Sequence, residues 1–180
     1  RFNEYSDIIA TTAMIARKEG EVEKGLEEIT GRWNDLHFKI EPHKGSYKVV
    51  DSDRVFEQIE QDQMQLGGMK ATLSSLKAAK VFVVFDQQPI LKLEQNLTKV
   101  LELLDFLLQV QRQWIYLEAI FSGSETIRKD LLNQASEFNK VNTKWREVME
   151  YLRRDSTTAL RAGQEADIMK KLHGMHEKLE

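Results

Sequence analysis

VQRQWIYLEAIF, Val110 to Phe121, places Gln-Arg-Gln in the middle of one of the most apolar parts of the chain. On a helix, Gln109, Arg112, Gln113 and Tyr116 gather on one side, while Leu107, Leu108, Trp114, Ile115, Leu117 and Phe121 cover the rest. That distribution describes the wet side of a strut rather than the rim of a reactive site. Arg112 and Tyr116 are four apart, which lets a guanidinium lie on the ring. Glu118 follows Trp114 by four and is the one charge tucked among aromatics, as either a paired interior charge or an exposed one.

Working outward, Pro89 suits the first turn of a helix, where its missing N–H is not needed. From Ile90 to Phe121 nothing stops that helix, which would span roughly 48 Å at 1.5 Å per residue. Leu93, Leu97, Val100, Leu104, Leu107, Gln111, Trp114 and Phe121 form one stripe, widened by Leu101, Leu108 and Ile115. A helix apolar over so much of its circumference is sandwiched between neighbours. Ser122 to Glu125, SGSE, reads as a loop before a helix carrying Phe138, Val141, Trp145, Val148, Met149 and Leu152. A last helix carries Ile168, Leu172, Met175 and Leu179.

On the N-terminal side the same 4,3 spacing recurs. Ile8, Thr12, Ile15, Glu19, Val22, Leu26, Ile29, Trp33 and Leu36 form a stripe with two polar defects. Val55, Ile59, Asp62, Leu66, Met69, Leu73 and Leu76 form another. Between them the period drops to two at Leu36, Phe38 and Ile40, and Pro42-His-Lys-Gly-Ser46 supplies turn residues before Tyr47-Lys-Val-Val50, which predicts a β-hairpin. Gly67-Gly68 is a place where the second long helix is expected to bend or break. Val81 to Phe85, VFVVF, fits a short strand or a buried helix end. The expected fold is mainly α: an elongated bundle of long helices over 4–36, 52–80, 89–121, 131–154 and 158–180, with a β-hairpin insertion over 37–50.

Composition narrows the function classes. With 26 basic and 29 acidic residues among 180 there is no global field to attract a phosphate backbone or an acidic membrane, so neither nucleic acid nor a membrane is an expected partner. The absence of cysteine removes disulfides, thiolate metal sites and cysteine nucleophiles, and cytoplasm is the default compartment. The greasiest window, Leu97 to Phe121, still contains Lys99, Glu102, Asp105, Arg112 and Glu118. The start RFNEYSDIIA, without Met or a signal-type core, suggests a piece of a longer polypeptide.

Candidate chemistry is thin. Gly20 to Gly25 has the glycine spacing of a phosphate loop, but Leu26-Glu27 follows where Lys-Ser/Thr belongs, and its two glutamates would repel the anion. His173 and His176, three apart, could share a metal with Asp167 or Glu177 nearby, but neither an HExxH nor a Glu-x-x-His pair accompanies them and they read as solvated, as do His37 and His43 on the hairpin. Arg153-Arg154-Asp155-Ser156 has the form of a basophilic kinase site at a helix end. No catalytic, cofactor-binding or metal-binding residue is expected.

Gln111 to Phe121, with Ile127, Arg128, Leu131, Phe138, Val141 and Met149 after it, resembles the linker region (N-terminal region 2) of dynein heavy chains, in which a QR-x-W-x-YLE-x-IF motif is characteristic. Glu57 to Thr72, EQIEQDQMQLGGMKAT, is similar to that family's ELLEDNQ-type helix and its continuation. Ala16 to Trp33 resembles its first linker helix, ending in Trp. The likeness covers nearly the whole chain. It departs at Leu131-Leu132-Asn133-Gln134, where the family usually has Leu-Pro-Glu-Glu, and over Lys77 to Lys92, which lacks an expected Trp.

The resemblance implies structural-motif residues at Trp33, Gln111, Arg112, Trp114, Tyr116, Leu117, Glu118, Phe121, Phe138 and Trp145. It implies a non-catalytic mechanical segment, residues 1–180, of a microtubule-based motor whose parent chain is an AAA+ ATPase using ATP and Mg. The expected partner is the AAA+ ring of the same heavy chain, with other dynein subunits as further possibilities and no direct microtubule contact. The expected location is the cytoskeleton, in the axoneme of a cilium or flagellum, Gly123 to Arg128 looking more axonemal than cytoplasmic. Gly67 and Gly68, or SGSE, are the expected flexing points. A spectrin-like helical scaffold or tethering module is the alternative, and it would need aligned three-helix repeats.

Overall fold

The computed structural model describes residues 2–78 and 85–179. Its elements are α1 (Phe2–Asp35), β1 (Lys39–His43), β2 (Ser46–Val50), α2 (Ser52–Ala78), α3 (Gln88–Gly123), α4 (Glu125–Asp130), α5 (Leu132–Arg153), α6 (Ala159–Gln164) and α7 (Ala166–Leu179). The mainly helical class and the hairpin match expectation. All but Phe85 of the Val81 to Phe85 run lies outside the described residues, and Phe85 packs on the core half-buried.

α3 is the central member. Ile90, Leu93, Leu97, Val100, Leu103, Leu104, Leu107, Val110 and Trp114 are all buried along it, because α2, α5, α6 and α7 lie against different sides of the same helix. Each fully buried side chain of this size contributes about 1.5–3 kcal/mol of transfer free energy, so sustained burial offsets helix propensity that would be marginal alone. The second predicted stripe holds at every position, with Val55, Ile59, Asp62, Leu66, Met69, Leu73 and Leu76 all buried in α2.

The hairpin is antiparallel, pairing Lys39 with Val50 and His43 with Ser46. Its two-residue turn, Lys44-Gly45, has φ of 43° and 78°, the doubly left-handed geometry that matches strand twist in a tight hairpin. Gly45 takes that conformation without strain.

Three boundaries differ from the sequence expectation. SGSE is not a loop: Ser122 and Gly123 end α3, Glu125 starts α4, and Ser124 alone is extended, its Oγ accepting from Ile127 N at 3.3 Å as a helix cap. The final helix over 158–180 is two helices, α6 and α7, separated at Glu165, and the helix over 131–154 is preceded by the helical turn of α4. A single-residue break leaves the apolar period on both sides in step, so spacing does not reveal it. Third, α2 runs unbroken through Gly67-Gly68, held on one side by the buried Leu66 and Met69.

α6 is set by close approach. An added Cβ at Gly163 would lie 2.9 Å from Val100 N and Cγ2, and Ala159 and Ala162 on the same short helix are fully buried. The α6 backbone thus rests directly on α3, and Ala159 N donates to Leu36 O at 2.8 Å, tying it to the end of α1.

The first stripe is only half used. Val22, Ile29 and Trp33 are buried, but residues 3–14 of α1 are exposed, Tyr5, Ile8 and Ile9 by more than 60%. The accessible surface of 11397 Å² exceeds the roughly 9,000 Å² of a compact monomer of this mass, as an open body with a projecting helix requires.

Candidate functional site

The motif residues of α3 build a junction between the hairpin and α5. Gln111, buried inside the apolar stripe, spans Val49: its Oε1 accepts from Val49 N at 2.7 Å and its Nε2 donates to Val49 O at 3.0 Å. β2 thereby has its outer edge satisfied by a side chain in place of a third strand. One turn on, Trp114 stacks on Trp145 at 5.2 Å between centroids, with 21° between planes. Its indole N–H donates to Asn142 Oδ1 at 2.9 Å, and that of Trp145 donates to Tyr47 O at 3.0 Å. Both large rings bury their faces without leaving an orphan donor. On the other side of Tyr47 the Arg153 guanidinium lies 3.8 Å from the ring centroid.

Glu118 is a paired interior charge. Ser122 Oγ donates to its Oε1 at 2.7 Å, and Lys44 Nζ, at the hairpin turn, stands 3.5 Å from its Oε2. Phe121 stacks on Phe138 at 5.2 Å and continues the α3–α5 seam, with Leu117 beside them along a surface groove. Arg112 and Tyr116 lie elsewhere: both are exposed, Tyr116 by 68%. Among the described residues the guanidiniums that lie on rings are those of Arg153 on Tyr47 and Arg154 on Tyr151.

A second polar junction joins α1 to α2. Asp62, 1% exposed, accepts from Trp33 Nε1 at 2.6 Å, from Arg32 Nη1 at 2.5 Å and from Gln58 Nε2 at 3.1 Å. Trp33 is fully buried. A buried carboxylate is tolerable only with such a set of donors. The sequence marked Asp62 merely as a polar position in an apolar stripe, and that misfit was the available signal.

The histidines correct the expectation of solvated rings. His43 sits edge-on to Trp114 at 5.7 Å, and its buried Nε2 has no hydrogen-bond partner. Burial, with Lys48 and Lys44 adding to it against a smaller opposing pull from Glu118, holds its pKa below the ordinary 6.5. His37 stands between two carbonyls, Nδ1 2.9 Å from Asp35 O and Nε2 2.8 Å from Asp155 O. His176 Nδ1 is 3.0 Å from Gln113 Oε1, and Phe106 packs against both His173 and His176. Only His173 of the four is an exposed side chain.

None of these groups is arranged as nucleophile with base. Among the described residues no three His, Asp or Glu side chains converge as a metal would require, and no helix is long and apolar enough to cross a membrane. A groove of about 620 Å³ between α5 and α7 has Arg146, Arg154 and Lys171 facing Glu147, Glu150, Glu165 and Asp167, a balance of charge that concentrates neither sign of ion. Gln111, Trp145 and Asp62 each tie one element to another through a buried hydrogen bond.

Comparison with known proteins agrees with the motif. The family model described as "Dynein heavy chain, N-terminal region 2" matches residues 1–180. The chain is 30% identical over 180 residues to the dynein-1-beta heavy chain of the flagellar inner arm I1 complex of Chlamydomonas reinhardtii, covering 100% of this chain and 4% of that one. It is 33% identical over 180 residues to mouse dynein axonemal heavy chain 2, again 4% of that protein, and 32% identical to the human form. The chain thus spans about 4% of the length of the curated relatives it matches. Their flagellar and axonemal character supports a cytoskeletal, axonemal location for it. A motif that packs three elements around stacked tryptophans, and a family match from first residue to last, lead to one assignment: this chain belongs to the dynein heavy chains, as their N-terminal region 2.

Proposed function

We propose that this region is a mechanical linker segment of a dynein motor, carrying conformational change from the AAA+ ring of the same heavy chain into movement along microtubules, without catalysis of its own. Residues 1–180 form the N-terminal part of that linker. ATP and Mg belong to the ring modules of the parent chain. The observation that carries the proposal is the use made of buried polar groups: Gln111 on Val49, Trp145 on Tyr47 and Trp33 on Asp62 each join separate elements. Ties from helix to hairpin and from helix to helix resist the sliding that would dissipate a transmitted force. Gly67 and Gly68 remain the proposed bending point, since two adjacent glycines in a continuous helix weaken it locally even where it is not broken; Ser124 is the alternative.

The exposed apolar half of α1, around Tyr5, Ile8 and Ile9, supports packing against other parts of the same heavy chain. The test is a gliding assay with the full heavy chain carrying Gln111→Ala. Movement should slow at least twofold while basal ATP turnover is unchanged. Unaltered gliding, or a parallel loss of ATP turnover, would speak against a force-bearing role.

A further inference from the structure

We propose that Ser156 is a phosphorylation site for a basophilic serine kinase, and that Arg161 holds the phosphate once it is formed. Arg153-Arg154-Asp155-Ser156 ends α5 and enters the turn to α6. That turn closes through Thr157 N donating to Arg154 O at 2.9 Å, and it presents residues 153–156 to solvent while burying Thr157. Ser156 is therefore the accessible hydroxyl, whereas the Thr158 hydroxyl is engaged in capping Arg161 N at 3.2 Å. The two preceding arginines are bound only at the surface, Arg153 to Glu150 and the Tyr47 ring and Arg154 to the Tyr151 ring. Contacts of that kind contribute little and release readily to a kinase's acidic groove.

The receiving cation is already in place. Arg161 Nη1 donates to Ser156 O at 3.1 Å, so its guanidinium stands beside the serine before any phosphate exists. In the transfer, Ser156 Oγ attacks the γ-phosphorus of ATP held by the kinase. The Oγ–P bond forms as the bond to the ADP oxygen breaks, the hydroxyl proton passes to the kinase's base, and ADP leaves. The new group carries a charge of about −1.5 to −2 and three acceptor oxygens, which the guanidinium can meet in bidentate fashion, against repulsion from Asp155. The same turn is tied to the end of α1 by His37 on Asp155 O and by Ala159 N on Leu36 O. A phosphate clamp here stiffens the seam between α1, α5 and α6.

The 180-residue chain is incubated with the catalytic subunit of a basophilic serine kinase and ATP, then read by peptide mass spectrometry and thermal unfolding. One phosphate on Ser156 is expected, absent in Ser156→Ala and slowed at least tenfold in R153A/R154A, with circular dichroism confirming that both variants fold. The phosphorylated chain should melt about 2–4 °C higher, and Arg161→Gln should remove that gain without preventing modification. No incorporation into the folded chain, modification of Thr157 or Thr158 instead, or a melting shift indifferent to Arg161 would each overturn the proposal. These readouts do not depend on the linker reading, which is tested by movement.

Discussion

Replacing Gly163 by alanine should destabilise the fold, although the same change in most helices stabilises it. Alanine in a helix interior is favoured over glycine by about 0.8–1 kcal/mol. At Gly163, however, the new methyl would lie 2.9 Å from Val100 N and 3.1 Å from Val100 Cα, against a comfortable heavy-atom separation of about 3.5–4.0 Å. Backbone atoms in the middle of α3 cannot rotate aside, so α6 must lift by about half an ångström or more, loosening the buried Ala159 and Ala162. Overpacking of this kind costs about 1–3 kcal/mol. The net change is a loss of up to about 2 kcal/mol, or a fall of up to about 4–8 °C in melting temperature for a chain of this size.

Gly174→Ala in α7 is the control, because nothing lies within 4 Å of its added Cβ, and it should raise the melting temperature by about 2–4 °C. Val100→Ala should not rescue Gly163→Ala, since it removes Cγ2 but leaves the offending backbone nitrogen. Differential scanning calorimetry on the two single variants decides the matter. If both shift in the same direction, α6 does not rest on α3 as described.

Asp62→Ala leaves the buried Trp33 N–H without an acceptor while the more exposed Arg32 turns to solvent, and should lower unfolding free energy by about 1–3 kcal/mol in urea titration; a loss under about 0.5 kcal/mol would contradict the network. Gln111→Leu leaves both polar groups of Val49 unpaired, costs about 2–4 kcal/mol, and should speed hydrogen exchange at the Val49 amide in particular. Because the folded pKa of His43 is depressed below the ordinary 6.5, the unfolded chain takes up that proton first on acidification. Its contribution is therefore complete above pH 6.5 and is lost as pH falls below that value toward the folded pKa. His43→Phe, which keeps an aromatic ring against Trp114, should flatten this part of the melting profile, and an unchanged profile would exclude His43 as its source. Gly67→Ala and Gly68→Ala meet open space and should each add about 1 kcal/mol to stability; in the full motor the pair should also slow gliding if α2 bends there, and a drop in melting temperature would show that the helix is not continuous.

Much of the fold was legible because helical and strand periods are local properties. The 4,3 spacing put Val55 to Leu76 and Leu93 to Trp114 on faces that are buried, and the change to period two at Leu36 to Ile40 located the hairpin. The break at Ser124 was legible as SGSE, though as a longer loop than the one extended residue found; Glu165 was not legible as a break, since a single extended residue leaves the stripe in phase. Nor was the exposure of residues 3–14, because an apolar stripe says that a face can be covered without saying what covers it.

The polar interior separates the two kinds of information most sharply. Sequence alone determined that Gln111, Glu118 and Asp62 stand among apolar neighbours, and that no nucleotide loop or cysteine chemistry accompanies them. Only the tertiary structure decided that Gln111 spans Val49, 62 positions away, that Trp145 reaches Tyr47 across 98, and that Trp33 finds Asp62 across 29. Periodicity is set by the backbone geometry of one helix. A buried hydrogen bond is set by where the other helices come to rest, and a polar side chain inside an apolar seam is stable only once that second element supplies its partner.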